Sequence, residues 1–163
     1  MADVREGDTA PEFSVPLANG EVESFTLSEH LDEAPLVLAF FPGAFTGTCR
    51  REMRTFRDRM DEFAAVGATV YGVSVDSPFG LNEFREKHDL GFDLISDFGK
   101  DVIDDYGVRG DLARYGVYGV ARRAVFVVDA EGTVIYRWIA DDPGQEPDYD
   151  EVLAAAERAG DTA

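Results

Sequence analysis

The sequence predicts an α/β fold, because apolar runs of strand length alternate with segments of helical period. Residues 36–41 form the first run, and Pro42-Gly43 ends it. Residues 68–75 and 123–129 are further apolar runs, rich in β-branched side chains, which is typical of buried strands. Between the first two runs, apolar residues recur at spacings of 4, 3, 4 and 3, which is one face of an α-helix.

The N-terminal part is predicted to form a β-hairpin ahead of this unit. Residues 13–17 and 21–25 are strand-like, and Asn19-Gly20 between them is a strong signal for a tight turn. Residues 26–31 suggest a short capped helical turn before Pro35.

The later segments supply further strands and helices. Asp76-Ser77-Pro78 opens a helix that runs to about His88 and uses Phe79 as an apolar contact, and residues 133–139 pair with the third apolar run as a hairpin. Smaller elements are expected as a short strand at 92–95, a short helix at 100–106, a loop rich in Gly and Tyr at 109–121, and a last helix capped by Asp148 or Asp150.

This order predicts a thioredoxin-like α/β sandwich with an N-terminal β-hairpin extension, in a single domain over residues 1–163. The helix that follows residues 36–41 is expected to continue to Gly67. The strand that begins at Arg123 is expected to lie beside that of residues 36–41 and parallel to it. A chain of 163 residues can bury a core without disulfides.

The charge balance excludes several classes of partner. A formal net charge of -18 would repel nucleic acid and anionic membranes.

No apolar run approaches the ~20 residues that span a bilayer, and the first residues lack the apolar stretch of a secretory signal, so we expect a cytoplasmic protein. Lys87 and Lys100 are the only lysines, a pattern that resembles proteins of salt-rich cytoplasm. An ordinary acidic protein without salt adaptation is the alternative.

The single cysteine, Cys49, is predicted to lie in the first turn of a helix, on the face turned toward the core. This helix starts just beyond the carboxyl end of a buried strand, where α/β sheets usually place their chemistry. A helix N-terminus and a nearby arginine both favour the thiolate, which is the nucleophilic form. One cysteine and two histidines are too few for a metal site, and we expect no cofactor. Cys49 is either a reactive thiol or a small apolar core residue.

Two sets of arginines are candidates for the charge beside Cys49. The first set lies in the same helix as Cys49 and consists of Arg50, Arg51, Arg54 and Arg57. These arginines point away from the Cys49 face and are better explained as a stripe exposed to solvent. At the start of the third strand, either Arg122 or Arg123 must point inward, and a buried arginine needs an anion. A Cys49 thiolate together with Glu52, one helical turn later, would provide that anion.

Thr46 and Pro42, which both precede Cys49 in the chain, also have alternative roles. Thr46 either caps the helix or makes a turn hydrogen bond, or it presents its hydroxyl to a small polar ligand beside the sulfur. Pro42 either ends the strand or shields the thiolate from water.

Three motifs resemble those of peroxiredoxins. Residues 42–49 read PGAFTGTC and match the signature PxxxTxxC. Arg123, directly before Ala-Val-Phe-Val-Val-Asp, is similar to the arginine that this family places beside its reactive cysteine, and residues 7–13 resemble its N-terminal stretch. The similarity covers residues 5–158, and residues 40–47 look closest to the one-cysteine alkyl hydroperoxide reductase E type.

The resemblance implies a peroxiredoxin fold and a thiol-dependent peroxidase that reduces hydrogen peroxide, organic hydroperoxides or both. Cys49 would attack a peroxide oxygen and become a sulfenic acid, while Thr46 and Arg123 hydrogen-bond the two peroxide oxygens. Glu52 would orient Arg123, and Pro42 would limit solvent access and over-oxidation.

The chain departs from some relatives in having no second cysteine. Peroxiredoxins of the bacterioferritin-comigratory type often carry one five residues after the first, where this chain has Arg54. An external thiol, either a low-molecular-weight thiol or a thioredoxin- or glutaredoxin-like protein, would have to reduce the sulfenic acid. Family relatives are often dimers, so we expect a homodimer, with Phe45, Phe79 and Tyr115 at its interface or in simple packing. The alternatives are a redox sensor that passes oxidation to a partner, and a non-catalytic domain with an inert Cys49.

Overall fold

A seven-stranded mixed sheet forms the centre of the computed structural model, which describes residues 3–44 and 46–161. The strands in chain order are β1 (Ser14–Ala18), β2 (Val22–Thr26), β3 (Leu36–Phe40), β4 (Thr69–Ser74), β5 (Leu94–Ser96), β6 (Arg109–Leu112), β7 (Val117–Ala121), β8 (Ala124–Val128) and β9 (Val134–Ile139). The sheet has the order β2-β1-β5-β4-β3-β8-β9, with β3, β4 and β5 parallel and the other pairs antiparallel. The predicted α/β sandwich with an N-terminal hairpin is confirmed.

Helices cover both faces of this sheet. They are α1 (Gly47–Asp58), α2 (Met60–Ala65), α3 (Pro78–Lys87), α4 (Asp101–Asp105) and α5 (Tyr149–Asp161), with 3₁₀ turns at Leu27–Glu33 and Ala113–Tyr115. Successive strand residues point to opposite faces, so Val37 and Ala39 of β3 pack with α1, α2, α3 and α5, whereas Leu36, Leu38 and Phe40 pack with α4 and the N-terminal segment. Every residue of β3 and β8 is buried, which places these two strands at the centre of the core.

Two helices begin with a side-chain cap where the sequence predicted a helix start. Ser77 accepts a hydrogen bond from the Gly80 amide at the start of α3, and Asp148 accepts one from the Glu151 amide at the start of α5. The helical turn after residue 26 is present, but the side chain of Thr26 makes no capping hydrogen bond.

Four predictions about local structure are wrong. Residues 109–121 are not a loop, because β6 and β7 pair as an antiparallel hairpin with a register shift between Gly110 and Asp111. The helix that was expected to continue to Gly67 is divided at Arg59, whose φ of -106° and ψ of 11° separate α1 from α2. Strand β8 lies beside β3 as predicted, but it is antiparallel to it. Phe79 is no apolar contact of the core, because it is 74% exposed.

Candidate active site

Strand pairing brings the start of β8 beside the end of β3. Because the two strands are antiparallel, Ala124 pairs with Phe40, and the residues just outside the pair, Arg123 and Phe41-Pro42, meet at the same edge of the sheet. Helix α1 begins five residues after Pro42, at Gly47, and carries Cys49 in its first turn. Three segments that are distant in the chain therefore converge at this edge.

The sulfur of Cys49 contacts the guanidinium of Arg123. Both terminal nitrogens of Arg123 lie 3.4 Å from the Cys49 Sγ. The same Arg123 donates from Nη1 to Glu52 Oε1 at 2.7 Å. Cys49 and Glu52 are 0% exposed and Arg123 is 2% exposed, so these three groups interact out of contact with water. Such an ion pair is strong only because each charge has a close partner.

A backbone carbonyl completes the coordination of the arginine. Pro143 O accepts hydrogen bonds from Arg123 Nη2 at 2.9 Å and from Arg123 Nε at 3.3 Å. Pro143 could not be identified from the sequence, since a main-chain acceptor in a polar, turn-rich segment leaves no mark in residue type. The guanidinium is thereby fixed in one orientation, with its two terminal nitrogens on the sulfur.

Charge and burial have opposite effects on the pKa values of Arg123 and Glu52. Burial alone would lower the pKa of Arg123, but the charges of Glu52 and Cys49 and their hydrogen bonds outweigh it and raise that pKa, so the cation is permanent. Burial raises the pKa of the Glu52 carboxyl to about 7, and the charge of Arg123 offsets only part of this effect. Within the described residues, Glu52 Oε2 has no hydrogen-bond partner. Glu52 therefore gains and loses its proton near neutral pH.

The helix terminus adds a second positive element. Thr46 is the residue before α1, and its carbonyl accepts the first helical hydrogen bond, from the Arg50 amide at 2.9 Å. The backbone amide of Cys49 precedes that bond and has no partner within the helix. A polar group at the sulfur can therefore accept a hydrogen bond from this amide and is favoured by the helix dipole.

Thr46 and Pro42 differ in their exposure to solvent. Pro42 is buried, whereas Thr46 is exposed and donates its hydroxyl to Gly43 O at 3.1 Å. That contact is the turn hydrogen bond, and no side-chain cap of α1 is formed. The hydroxyl of Thr46 is thus near the site but does not point at another side chain.

A cleft of about 730 Å³ leads from the surface to Arg123. Its wall includes Pro42, Thr46, Arg51, Tyr115 and Arg123. Cys49 is not among the residues that line this cleft, and its side chain is fully buried. The cleft therefore ends at the arginine that contacts the buried sulfur.

Of the candidate arginines, only Arg123 contacts the Cys49 sulfur among the described residues. Arg122 is exposed and donates to Ala140 O at 2.8 Å, so Arg123 is the inward member of the pair. Arg51 and Arg57 pair with carboxylates at the surface, as expected for a solvated stripe. Arg54 is exposed and has no ion pair with any described residue.

In residues 3–44 and 46–161, no three His, Cys, Asp or Glu side chains are grouped as a metal ion would need. Every helix in this part of the chain is too short or too polar to cross a bilayer.

The comparisons with known proteins agree on one family. The model of the AhpC/TSA family matches residues 6–137. Peroxiredoxin Bcp of Escherichia coli K12 is 36% identical over 135 residues, which cover 82% of this chain and 85% of that protein. A chloroplastic 2-cysteine peroxiredoxin of Chattonella marina var. antiqua is 35% identical over 139 residues, with 80% of this chain and 68% of that protein covered. The crystal structure of peroxidoxin BcpB from Mycobacterium tuberculosis superposes with a TM-score of 0.82 at 30% identity, covering 95% of this chain and 97% of that one.

Sequence, fold and family match point to the same chemistry. The predicted resemblance to peroxiredoxins is confirmed, and the fold is that of the solved relatives. The chain belongs to the AhpC/TSA family of peroxiredoxins and is a thiol peroxidase, an oxidoreductase.

Proposed function

We propose that the protein reduces hydrogen peroxide, organic hydroperoxides or both through Cys49 alone. The observation that carries this proposal is the contact of both terminal nitrogens of Arg123 with the Cys49 sulfur at 3.4 Å. No other residue of the chain can act as a thiol nucleophile, since Cys49 is the single cysteine. The arginine provides a fixed positive charge where both the thiolate and the leaving oxygen need one.

In the proposed reaction the Cys49 thiolate attacks one peroxide oxygen in line with the O–O bond. The S–O bond forms as the O–O bond breaks, which gives sulfenic acid and an oxyanion, and protonation of the oxyanion releases water or an alcohol. Arg123, the Thr46 hydroxyl and the backbone amide of Cys49 would stabilise the charge as it moves. Glu52 would hold Arg123 in place, and buried Pro42 would limit water access and over-oxidation.

The second half of the cycle requires an external thiol. One thiol would displace water from the sulfenic acid to form a mixed disulfide, and a second thiol would release Cys49 as a free thiol. The reductant would be a low-molecular-weight thiol or a thioredoxin- or glutaredoxin-like protein. The single cysteine, with Arg54 five residues later, supports a one-cysteine peroxiredoxin nearest to the alkyl hydroperoxide reductase E type.

Three properties of the protein in the cell belong to the same proposal. The protein would be cytoplasmic. It would also be adapted to high salt, as its net charge of -18 and its two lysines suggest. It would also form a homodimer. Phe79 and Tyr115 are 74% and 68% exposed and so are free to enter an interface, whereas Phe45 lies outside the described residues.

The direct test is rapid mixing of the reduced protein with hydrogen peroxide, followed by intact mass. We expect a gain of one oxygen atom at a rate far above that of free cysteine, and no gain in Cys49→Ser. A rate equal to that of the free thiol would refute the peroxidase proposal. Peroxide consumption is then measured with an added thiol. Fast single oxidation without turnover would favour the redox sensor instead.

A further inference from the structure

A group of polar side chains lies at the carboxyl ends of β4 and β5, outside the contacts of Arg123. Ser74 and Ser96 are fully buried, and Asp76 is partly buried in the turn that follows β4. Ser96 Oγ donates to Asp76 O at 2.6 Å, and the Asp97 amide donates to Ser74 O at 2.7 Å. These bonds fix the turn after β4 to the neighbouring strand.

The carboxylate of Asp76 reaches from this turn to the loop before α1. Its Oδ2 accepts one hydrogen bond from Ser74 Oγ at 2.7 Å and a second from the backbone amide of Ala44 at 2.8 Å. Ala44 lies between Pro42 and Thr46. One carboxylate oxygen thus connects the fixed end of β4 to the segment that carries two residues of the proposed site.

Among the described residues, Ala44 also packs against the core, and the other printed hydrogen bonds of the loop are few. Thr46 Oγ1 bonds to Gly43 O, which is a contact within the loop and does not hold it to the sheet. The Phe41 amide bonds to Val73 O at 2.9 Å, and this is the last strand contact before Pro42. The bond from Ala44 to Asp76 therefore fixes the middle of the loop between the end of β3 and the start of α1.

We propose that Asp76 is a positioning residue for the peroxidase reaction. It holds residues 42–44 and Thr46 so that Pro42 covers the site, Thr46 presents its hydroxyl, and the first turn of α1 stays beside Arg123. This inference rests on the proposed function. Asp76 does not touch the sulfur or the arginine, and it acts through the backbone of Ala44. A displacement of about 1 Å in reacting groups can slow a reaction about 100-fold, so a single loop anchor is sufficient to matter.

Three variants separate positioning from general stability. Asp76→Ala removes the acceptor, whereas Asp76→Asn keeps a side-chain oxygen that can accept both hydrogen bonds. Asp97→Ala is the matched control, because Asp97 is likewise a carboxylate that directly follows a strand and accepts two hydrogen bonds, in its case from the backbone amides of Val102 at 3.1 Å and Ile103 at 2.8 Å. It caps α4 and does not contact the loop.

The first measurement is the second-order rate of Cys49 oxidation by hydrogen peroxide. Asp76→Ala should be slower by about 10- to 100-fold. Asp76→Asn should stay within about threefold of the wild type, and Asp97→Ala should keep its rate while its melting temperature falls. Equal slowing in Asp76→Ala and Asp97→Ala would overturn the proposal, as would a wild-type rate in Asp76→Ala or no recovery in Asp76→Asn.

The second measurement is hydrogen exchange of the peptide that contains Ala44, which does not depend on activity. Exchange there should be faster in Asp76→Ala than in the wild type and unchanged in Asp97→Ala. Unchanged exchange in Asp76→Ala would overturn the anchor even if the rate falls. If the wild-type protein itself reacts slowly, the proposed function fails, and exchange still decides whether Asp76 holds the loop. Should Asp76→Ala not fold, Asp76→Ser replaces it, since its side chain is too short to reach Ala44.

Discussion

The guanidinium of Arg123 contacts both the Cys49 sulfur and the Glu52 carboxylate. Nη1 contacts both, at 3.4 Å from Sγ and 2.7 Å from Oε1, while Nη2 contacts the sulfur and Pro143 O. The shorter contact is to the carboxylate, so the protonation of Glu52 determines how fully the positive charge acts on the sulfur. The two acids compete for one cation that water does not screen.

Replacing Arg123 with Met should slow oxidation of Cys49 by several orders of magnitude. The variant loses both contacts with the sulfur, and the remaining backbone amide of Cys49 supplies only a partial charge. It also leaves Glu52 buried without its cation, so a lower melting temperature is expected as well. The rate is measured by rapid mixing with hydrogen peroxide at a temperature where circular dichroism shows the variant folded.

Arg122→Met is the matched control for that experiment. Arg122 is the adjacent arginine, but it is exposed and bonds only to Ala140 O among the side-chain contacts described. The rate should stay within about twofold of the wild type, since a distant exposed charge is screened within about 10 Å at 0.1 M salt. A large effect in Arg122→Met, with a small one in Arg123→Met, would show that Arg122 and not Arg123 supplies the charge beside the sulfur.

Glu52 should make the stability of the folded protein depend on pH. Burial raises its pKa from 4.5 to about 7. Between these values the folded protein keeps a proton that the unfolded chain has lost, so this contribution is fully present below pH 4.5 and is lost as the pH rises through 7. The shift corresponds to about 3 kcal/mol.

The variant Glu52→Gln isolates this contribution. Glutamine keeps an oxygen for Arg123 and has no proton to lose, so its free energy of unfolding should not show this fall. Urea denaturation of both proteins at pH 5 and pH 8, at one KCl concentration, gives the comparison, because titrating groups that do not interact with Glu52 cancel in the difference. Parallel pH dependence in the two proteins would mean that Glu52 keeps an ordinary pKa.

The sequence predicted the site better than it predicted the path of the chain to it. Residue types indicated Cys49, Glu52 and either Arg122 or Arg123 as an interacting group, because a buried arginine needs an anion and a core-facing thiol offers one, and the resemblance to peroxiredoxins selected Arg123. The direction of β8 was wrong. A parallel β8 would have placed Arg123 at the opposite end of β3, whereas the antiparallel pairing of Phe40 with Ala124 brings it to the sulfur.

Other features could not be inferred from residue types. Pro143 and Ala44 act through main-chain atoms, which any residue provides, so their place in the site depends on tertiary structure. The β6–β7 hairpin was missed because Gly110, Gly116 and Gly119 read as loop formers. Gly116 and Gly119 in fact have φ values of 72° and 66°, which the turn and the irregular pairing of this hairpin require.

Thr46 should contribute through its hydroxyl and not through its shape. Thr46→Val keeps the size of the side chain and removes the donor, and loss of one donor to a developing oxyanion slows a reaction by about 100- to 1,000-fold. Thr46→Ser keeps the hydroxyl and should react at close to the wild-type rate. In the absence of peroxide this hydroxyl donates to Gly43 O, which an exposed side chain can exchange for a ligand at small cost. Rapid-mixing rates decide, and equal rates in the two variants would exclude a hydroxyl role.

Stability should continue to rise with KCl into the molar range. A net charge of -18 opposes folding by repulsion, and simple screening removes most of that effect by about 1 M, where the Debye length is about 3 Å. A further rise in the melting temperature between 1 M and 3 M therefore indicates carboxylates that bind hydrated cations in the folded state only. Calorimetry over this series, in parallel with the same ionic strengths of tetramethylammonium chloride, separates specific K⁺ binding from screening. A plateau above 1 M KCl would show an ordinary acidic protein, and salt adaptation would then be rejected.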